Sequence, residues 1–594
     1  MNDLPCQLHL LATLTELRCA GHRLVNGDRG DMVWAPTLIR TLHLEYFSDF
    51  TPEVAESLGQ LPLLKVLRLE HCTLARLPDS VGLLSKLTEL HVAMCGALTG
   101  LPESVGQLSA LSFIRINGCN LLTSLPQTLG LIGTLTVLDI SACAVLTALP
   151  ESLGQLTALE TLHMGWCHAL TSLPDSVGQL TALSSLTVIE CGIQSLPASF
   201  CQLGALHTLK IANCQALTVL PEMMHQLQSL ADVDISCCCR LTGPFDFLSQ
   251  LSKLELVDLG FSGALADVGE LFGTQNSNLN LLRLTCCRML TRLPESLGQL
   301  SALETLYIDG CFALTALPLF LDGQLPALSV LDADRCRSLA TIPESLGCLR
   351  ALTKLDLAMC DALTGLPESL GQLAALKYLE LSGCVALTQL PLSLGQLSNL
   401  NFLNVSHCTA LTRLPESAGQ LAGLTFFDMS HCTALTQLPS SIGELAALTT
   451  LIAADCHALT ELPYTIGRLA SLQYISISRC HALAKLPESV GALAALTDFI
   501  IVDCHALVRL PFSFLCLPDA IRIDGSGDFP VLSFPPAKIM RQGIDAVKAF
   551  LLAHHHPLKM LLLIMSARRR RMRYPPAELW VLICHEFFWE LQLH

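Results

Sequence analysis

The sequence predicts an α/β repeat solenoid, with a parallel β-sheet along a concave face and short helical or irregular segments on the convex one. Three observations carry this: a cysteine period, a composition, and a repeated unit. Cysteine recurs at 72, 95, 119, 143, 167, 191, 214 and 238, then at 287, 311, 336, 360, 384, 408, 432, 456, 480 and 504, and Ser262 fills the one gap in frame. The last six intervals are all 24 residues. Of 594 residues 51% are apolar, but only 5% are aromatic and 14% charged. That balance suits one small aliphatic unit copied many times better than several unlike cores.

The unit reads L-x-x-L-x-L-x-x-C-x-A-L-T-x-L-P-E-S-L-G-Q-L-x-A, seen cleanly in LKYLELSGCVALTQLPLSLGQLSN. Its opening alternates apolar and polar residues, the period of a half-buried strand. The L-P-E-S-L-G-Q-L segment turns the chain and returns it along the outer face, as a short helical turn. Stacked units place successive strands in parallel, and their leucines fill an interior that no single unit can close. Going backward at intervals of 25, Phe47 and His22 stand where the cysteine belongs, which makes 21 repeats over residues 10 to about 515.

The motif L-x-x-L-x-L-x-x-C-x-x-L-x-x-L-P closely resembles the leucine-rich-repeat family, over some 85% of the chain. Its C-x-x-L-x-x-L-P-E-S-[LV]-G-Q-L form is most similar to the repeat arrays of plant intracellular disease-resistance proteins. The resemblance implies a leucine-rich-repeat horseshoe. It also implies that the cysteine turns inward at the strand end and hydrogen-bonds the loop backbone. Those receptors carry a nucleotide-binding module, whereas no G-x-x-x-x-G-K-[ST] loop occurs in this sequence, so an ATPase switch is not expected.

Charge and composition narrow the function classes. A formal net charge of -16 repels phosphate backbones, which argues against nucleic acid as the main partner. The opening MNDLPCQLHLLATLTEL has no basic leader or small-residue cleavage site, and its apolar residues already follow the repeat. The stretch nearest to a membrane span, Ala549 to Met565, is interrupted by His554, His555, His556, Pro557 and Lys559. A soluble, cytoplasmic, monomeric protein is expected. Disulfides along the cysteine column are disfavoured, because stacked strands sit about 4.8 Å apart with parallel side chains, whereas a disulfide needs Cβ atoms about 3.8 Å apart. His168, His457, His481 and His505 each follow a repeat cysteine, but neighbours at a strand end diverge and no C-x-x-C pair accompanies them, so neither metal nor cofactor is expected. No nucleophile–base or carboxylate pair stands apart from the consensus, so no enzyme is expected. Cys237, Cys238 and Cys239, with Cys286 beside Cys287, are the local thiol clusters and receive no role.

Recognition in a solenoid falls to positions that vary over a fixed frame. These lie two, four and six residues before each cysteine, facing the concave side. Four before it stand Asp332, Asp356, Glu380, Asn404 and Asp428; six before it stand Tyr378, Phe402 and Phe426, with Tyr474 two repeats on. Aromatics beside a carboxylate strip suit a protein partner, a basic one in particular. The competing reading is that the acids only keep the sheet face solvated. Arg115, His163, Lys210 and Arg283 interrupt any such stripe earlier in the chain.

Three divisions follow: residues 1–516 as the solenoid, 517–566 as a capping segment, and 567–594 as a basic run with an amphipathic helix. FPPAKIMRQGIDAVKAFLL resembles the P-P-x-x-[IV]-x-x-x-G-x-x-A-[VI]-x-x-[FY]-L tail that closes intracellular leucine-rich arrays, with a helix starting at Gly543 and presenting Ile544, Val547, Phe550 and Leu551. Arg568-Arg569-Arg570-Arg571-Met572-Arg573 reads as a solvated helix end or as a nuclear-import or nucleic-acid patch. The helix bearing Leu579, Trp580, Leu582, Ile583, Phe587 and Phe588 resembles the first helix of an F-box, without the two that follow it. It is either a second cap or a docking element. The function expected is a protein-interaction scaffold in signalling or defence; the alternative is the substrate-recognition subunit of a ubiquitin ligase.

The repeat register makes a direct prediction. Leu379 is interior, so Leu379→Asp buries an unpaired charge at a cost of several kcal/mol and unfolds neighbouring repeats with it. Thermal melting checks this, and a parental melt would place residue 379 outside the core.

Overall fold

The computed structural model describes residues 16–20, 38–47 and 52–554, apart from 244, 264, 266–271, 321–322, 519–520, 525–531 and 533–534. It forms two compact units, Met1–Met289 and Leu290–His594. Among the described residues, the first holds twelve strands, from Glu16–Ala20 to Leu281–Arg283, each paired in parallel with its sequence neighbours. The second holds ten, from Thr305–Tyr307 to Arg522–Asp524, built the same way.

Register follows from the leucines. Leu355, Leu379 and Leu403 face one another across successive strands and are wholly buried, while the residues on either side turn to the open face. A slip by one residue would put every leucine in water, so the burial pattern pins the pairing. Leu379 is therefore interior, as the repeat requires.

At the end of each strand the chain takes a left-handed residue. The position just before the cysteine or its substitute, from Tyr46 to Asp503, has φ between 51° and 60° at every non-glycine, and Gly118, Gly310 and Gly383 share the conformation. Histidine, methionine, tryptophan, arginine and aspartate all occur there, but no valine, isoleucine or threonine. Branching at Cβ makes this region prohibitive, whereas unbranched side chains tolerate it at a modest cost. The N–H of this residue bonds the next repeat, as Met359 to the Ser382 carbonyl at 2.6 Å and His407 to Ser430 at 2.7 Å.

The outer return is a 3₁₀ turn. Pro367, extended at φ -70° and ψ 152°, leads into the turn Glu368–Gln372, and the same pair recurs in most repeats. The glutamate of P-E-S caps not its own turn but the next one. The Glu344 carboxylate accepts the Glu368 and Ser369 N–H groups at 3.3 and 3.0 Å, and Glu368 accepts those of Leu392 and Ser393, both at 2.9 Å. Glu103, Glu416 and Glu488 do likewise. These N–H groups have no partner within their turn, and the carboxylate supplies one. The same bonds hold the carboxyls of Glu103, Glu368 and Glu416 below the usual range.

The last described element is the helix Ile544–His554, which follows Gly543 at φ +90° and buries Ile544, Val547 and Leu551. Lys548 Nζ donates to the Leu517 carbonyl at 2.6 Å and ties this helix to the last repeat. Phe550 stacks on His554 at 3.9 Å. His22, the arginine run and the helix expected around Trp580 lie outside the described residues.

The glycine of the outer turn marks where repeats come closest. A Cβ on Gly371 would sit 2.7 Å from both the carbonyl oxygen and the Cβ of Ser393, whereas one on Gly365 would meet nothing within 4 Å. Gly371→Ala is expected to cost about 1–3 kcal/mol by forcing two repeats apart, and Gly365→Ala to be neutral. Denaturant unfolding of the two variants checks this; equal stability would show that the stack gives way without cost.

Candidate interaction surface on the sheet face

The cysteine column belongs to the frame. All 18 repeat cysteines are buried thiols in no disulfide. In the second unit these thiols reach back to the preceding repeat: Cys384 Sγ donates to the Leu357 carbonyl at 3.1 Å, Cys408 to Leu381 at 3.2 Å, Cys432 to Val405 at 3.1 Å and Cys456 to Met429 at 3.2 Å. Burial pushes the Cys384 and Cys432 thiols up to about 12, which keeps the proton that the bond needs. These acceptors sit one residue past the preceding strand, and other repeat thiols also reach the carbonyl two residues back in their own repeat, as Cys167 to Gly165 at 3.5 Å and Cys504 to Val502 at 3.8 Å.

The histidines that follow the cysteines also form a ladder. His457, His481 and His505 stack at 4.6 and 4.5 Å with nearly parallel planes, and Nδ1 of His457 and of His481 donates to the carbonyls of Arg479 and Asp503. Parallel rings do not converge on an ion. Among the described residues no group of three or more His, Cys, Asp or Glu is placed to hold a metal.

On the open face the predicted aromatics come together. Tyr378, Phe402 and Phe426 pair in register on adjacent strands and stack, with ring centroids 4.2 and 4.7 Å apart and planes within 8° of parallel. The strip is half-buried rather than exposed as expected, because each ring covers its neighbour's face and leaves mainly edges to solvent. Tyr474 lies in the same column, separated from Phe426 by Thr450.

The predicted polar column is also in register, but each member has a structural task. Oδ1 of Asp332, Asp356, Asn404 and Asp428 accepts the N–H two residues on, at 3.2, 3.2, 2.9 and 2.8 Å, and Glu380 Oε1 accepts that of Ser382 at 2.9 Å. These bonds satisfy the backbone where the strand ends. Glu380 goes further: its Oε2 accepts the Tyr378 hydroxyl at 3.3 Å and Asn404 Nδ2 at 3.1 Å, and the residue is only 8% exposed. Asp332, Asp356 and Asp428 keep a second oxygen on the open face.

Lys354 was missed in the sequence. Its ammonium lies 3.2 Å from Asp332 Oδ2 and 3.3 Å from Asp356 Oδ2, and 5.5 Å from the Tyr378 ring centroid. Its position six before Cys360, between two aspartates in the next column, was the available signal. Even so, Asp356 is pushed up to about 6, chiefly by burial and then by Asp332. Burial, then Glu380 and Asp356, push the Tyr378 hydroxyl up to about 12. One lysine does not balance the carboxylates that register brings together.

A family model described as a leucine-rich repeat region matches residues 35–169, 166–272 and 355–458. No curated protein matches the sequence significantly. Among solved structures, a leucine-rich-repeat protein of Leptospira interrogans is 21% identical, with 76% of this chain and 93% of that one covered and a TM-score of 0.33. The plant peptide hormone receptor RGFR1 in complex with RGF2 is 19% identical, with 84% and 89% covered and a TM-score of 0.39. A TDR receptor is 19% identical, with 88% and 90% covered and a TM-score of 0.46.

The Asp356 carboxyl gives a pH test. Its folded pKa of about 6 exceeds the ordinary 3.8, so its contribution to stability is full below pH 3.8 and is lost as the pH rises through about 6. Asp356→Asn keeps the oxygen that accepts the Ala358 N–H, as Asn404 does for Ser406. The variant is expected to melt higher than the parent at pH 7.5 and equally at pH 4. A lower melting temperature at pH 7.5 would show that the Lys354 pairing outweighs desolvation.

Proposed function

We propose that this chain, which belongs to the leucine-rich-repeat family by a match over more than half its length, is a recognition scaffold that holds a protein partner on the open sheet face of its second unit. The observation that carries the reading is the coincidence, on adjacent strands, of a stacked aromatic strip with a row of incompletely balanced carboxylates. The frame accounts for the inward leucines, the cysteines and the outer glutamates. It does not require Phe402 or Phe426, whose side chains stand on the solvent side of the sheet. Large apolar groups in register on such a face suit a buried interface core, and the carboxylates beside them suit a basic partner.

The partner is proposed to carry positive charge opposite Asp356 and Asp428. The inward thiols act as protonated hydrogen-bond donors, which fits a reducing compartment such as the cytoplasm, with the chain acting as a monomer. The scaffold role itself calls for no chemistry at the site.

Photo-crosslinking from position 402 of the full chain, in an extract of its source, captures the partner for direct binding measurements. Phe402→Ala combined with Phe426→Ala is expected to weaken that binding by about 2 kcal/mol or more, with the fold kept and the melting temperature lowered only by the two lost ring stacks. Asp428→Lys is expected to slow association and to reduce its dependence on salt. Unchanged affinity in both variants would move the site away from this face.

A further inference from the structure

The aromatic column of the second unit is a stack with one rung missing. Tyr378, Phe402 and Phe426 occupy three successive strands, Thr450 the fourth and Tyr474 the fifth, all in the same register and on the same face. Neighbouring strands lie about 4.8 Å apart, so Phe426 and Tyr474 flank Thr450 across about 9.6 Å. That is twice the 4.7 Å between the Phe402 and Phe426 rings. One planar group over Thr450 would continue the stack at the spacing it already has.

We propose that this gap is a slot for an arginine side chain of the partner, a reading that rests on the sheet face being the binding surface. Planarity alone would admit an aromatic ring or a guanidinium; the surroundings select the guanidinium. Asp428, beside Phe426, uses Oδ1 for the Ser430 N–H at 2.8 Å and holds Oδ2 on the open face, where among the described residues it accepts no hydrogen bond. Ile452, beside Thr450 on the same strand, offers an apolar wall for the methylene stem. The chain already shows the pattern once in its own sequence: Lys354 packs its ammonium against the other end of the stack, 5.5 Å from the Tyr378 centroid, between two aspartates. A cation fits at each end of the aromatic row, and among the described residues none supplies one at the second end. Arginine is favoured over lysine there because only the planar, delocalised cation stacks on two faces at once while bonding a carboxylate at its edge.

The probe is the peptide acetyl-Ala-Gly-Arg-Gly-Ala-amide, with its citrulline and lysine counterparts, titrated into the full chain. The chain has 6 tyrosines, and 3-fluorotyrosine labelling with the Tyr474→Phe variant assigns the fluorine resonance of Tyr474. The arginine peptide is expected to shift that resonance saturably, and the citrulline and lysine peptides to bind at least about tenfold more weakly. Thr450→Phe supplies the missing ring and is expected to abolish the response at an unchanged melting temperature. If that variant unfolds, Asp428→Asn replaces it, with arginine binding weakened several-fold and citrulline binding unaffected. No shift at Tyr474, equal binding of the three peptides, or a response that survives Thr450→Phe would overturn the slot. Partner binding lost in the Phe402 and Phe426 variant but kept in Thr450→Phe also overturns it, and leaves the sheet-face reading standing. A response at Tyr474 that Thr450→Phe blocks, with partner binding unchanged in every variant, overturns both the sheet-face reading and the assignment of the slot to the partner.

Discussion

No repeat in this chain can satisfy its own backbone or close its own core, and that dependence on the next repeat organises the rest. The Cys384 thiol takes a carbonyl from the strand before it, and the Glu368 carboxylate takes two N–H groups from the turn after it. Gly371 lets the backbone of Ser393 come within the distance a methyl group would need. Each contact alone is modest in size. With the strand ladder they fix the spacing of repeats at three depths: in the ladder itself, in the core behind it and along the outer turn. A solenoid tied at all three has little freedom to slip, which is how it sustains one register over many copies.

Strict register then has a consequence for the open face. Identical positions fall beside one another, so a residue type that recurs at the repeat period becomes a column. Aromatics at one position produce a stack with 4.2 and 4.7 Å between rings. Carboxylates at the neighbouring position are half-buried side by side, and burial first and Asp332 second raise Asp356 even with Lys354 between the two aspartates. The first is favourable at each step and the second is not. A surface that keeps both is the basis on which a basic partner is proposed. The same register makes the Thr450 position informative, because a column defined by period makes a missing member visible.

The left-handed residue before each cysteine links frame and surface. It turns the chain sharply enough for the cysteine to enter the core while its own side chain stays on the rim. Trp166 and Phe261 are 48% and 47% exposed at this position, and His407 and His431 stack there at 4.1 Å. The rim is thus free to vary in size and polarity, limited only by the exclusion of side chains branched at Cβ.

The fold was legible in the sequence because it rests on periodicity. The 24-residue cysteine spacing gave the repeat, the strand alternation gave the inward leucines, and both hold for Leu379 and Cys384 at the depth expected. The column membership of Tyr378, Phe402, Phe426 and the polar residues beside them was also legible, since equal spacing implies shared register. What the sequence left undecided was the state of those side chains. Half-burial of the aromatics comes from ring covering ring, which depends on side-chain rotation and not on position. The tie from Glu368 to the next turn and the place of Lys354 between Asp332 and Asp356 join residues about one repeat apart. Such contacts depend on how closely and at what angle two repeats stack, and period alone does not set that angle. The sequence determined which residues share a face; the tertiary structure decided which of their polar atoms were already committed to the backbone, because only packed neighbours fix hydrogen-bond partners.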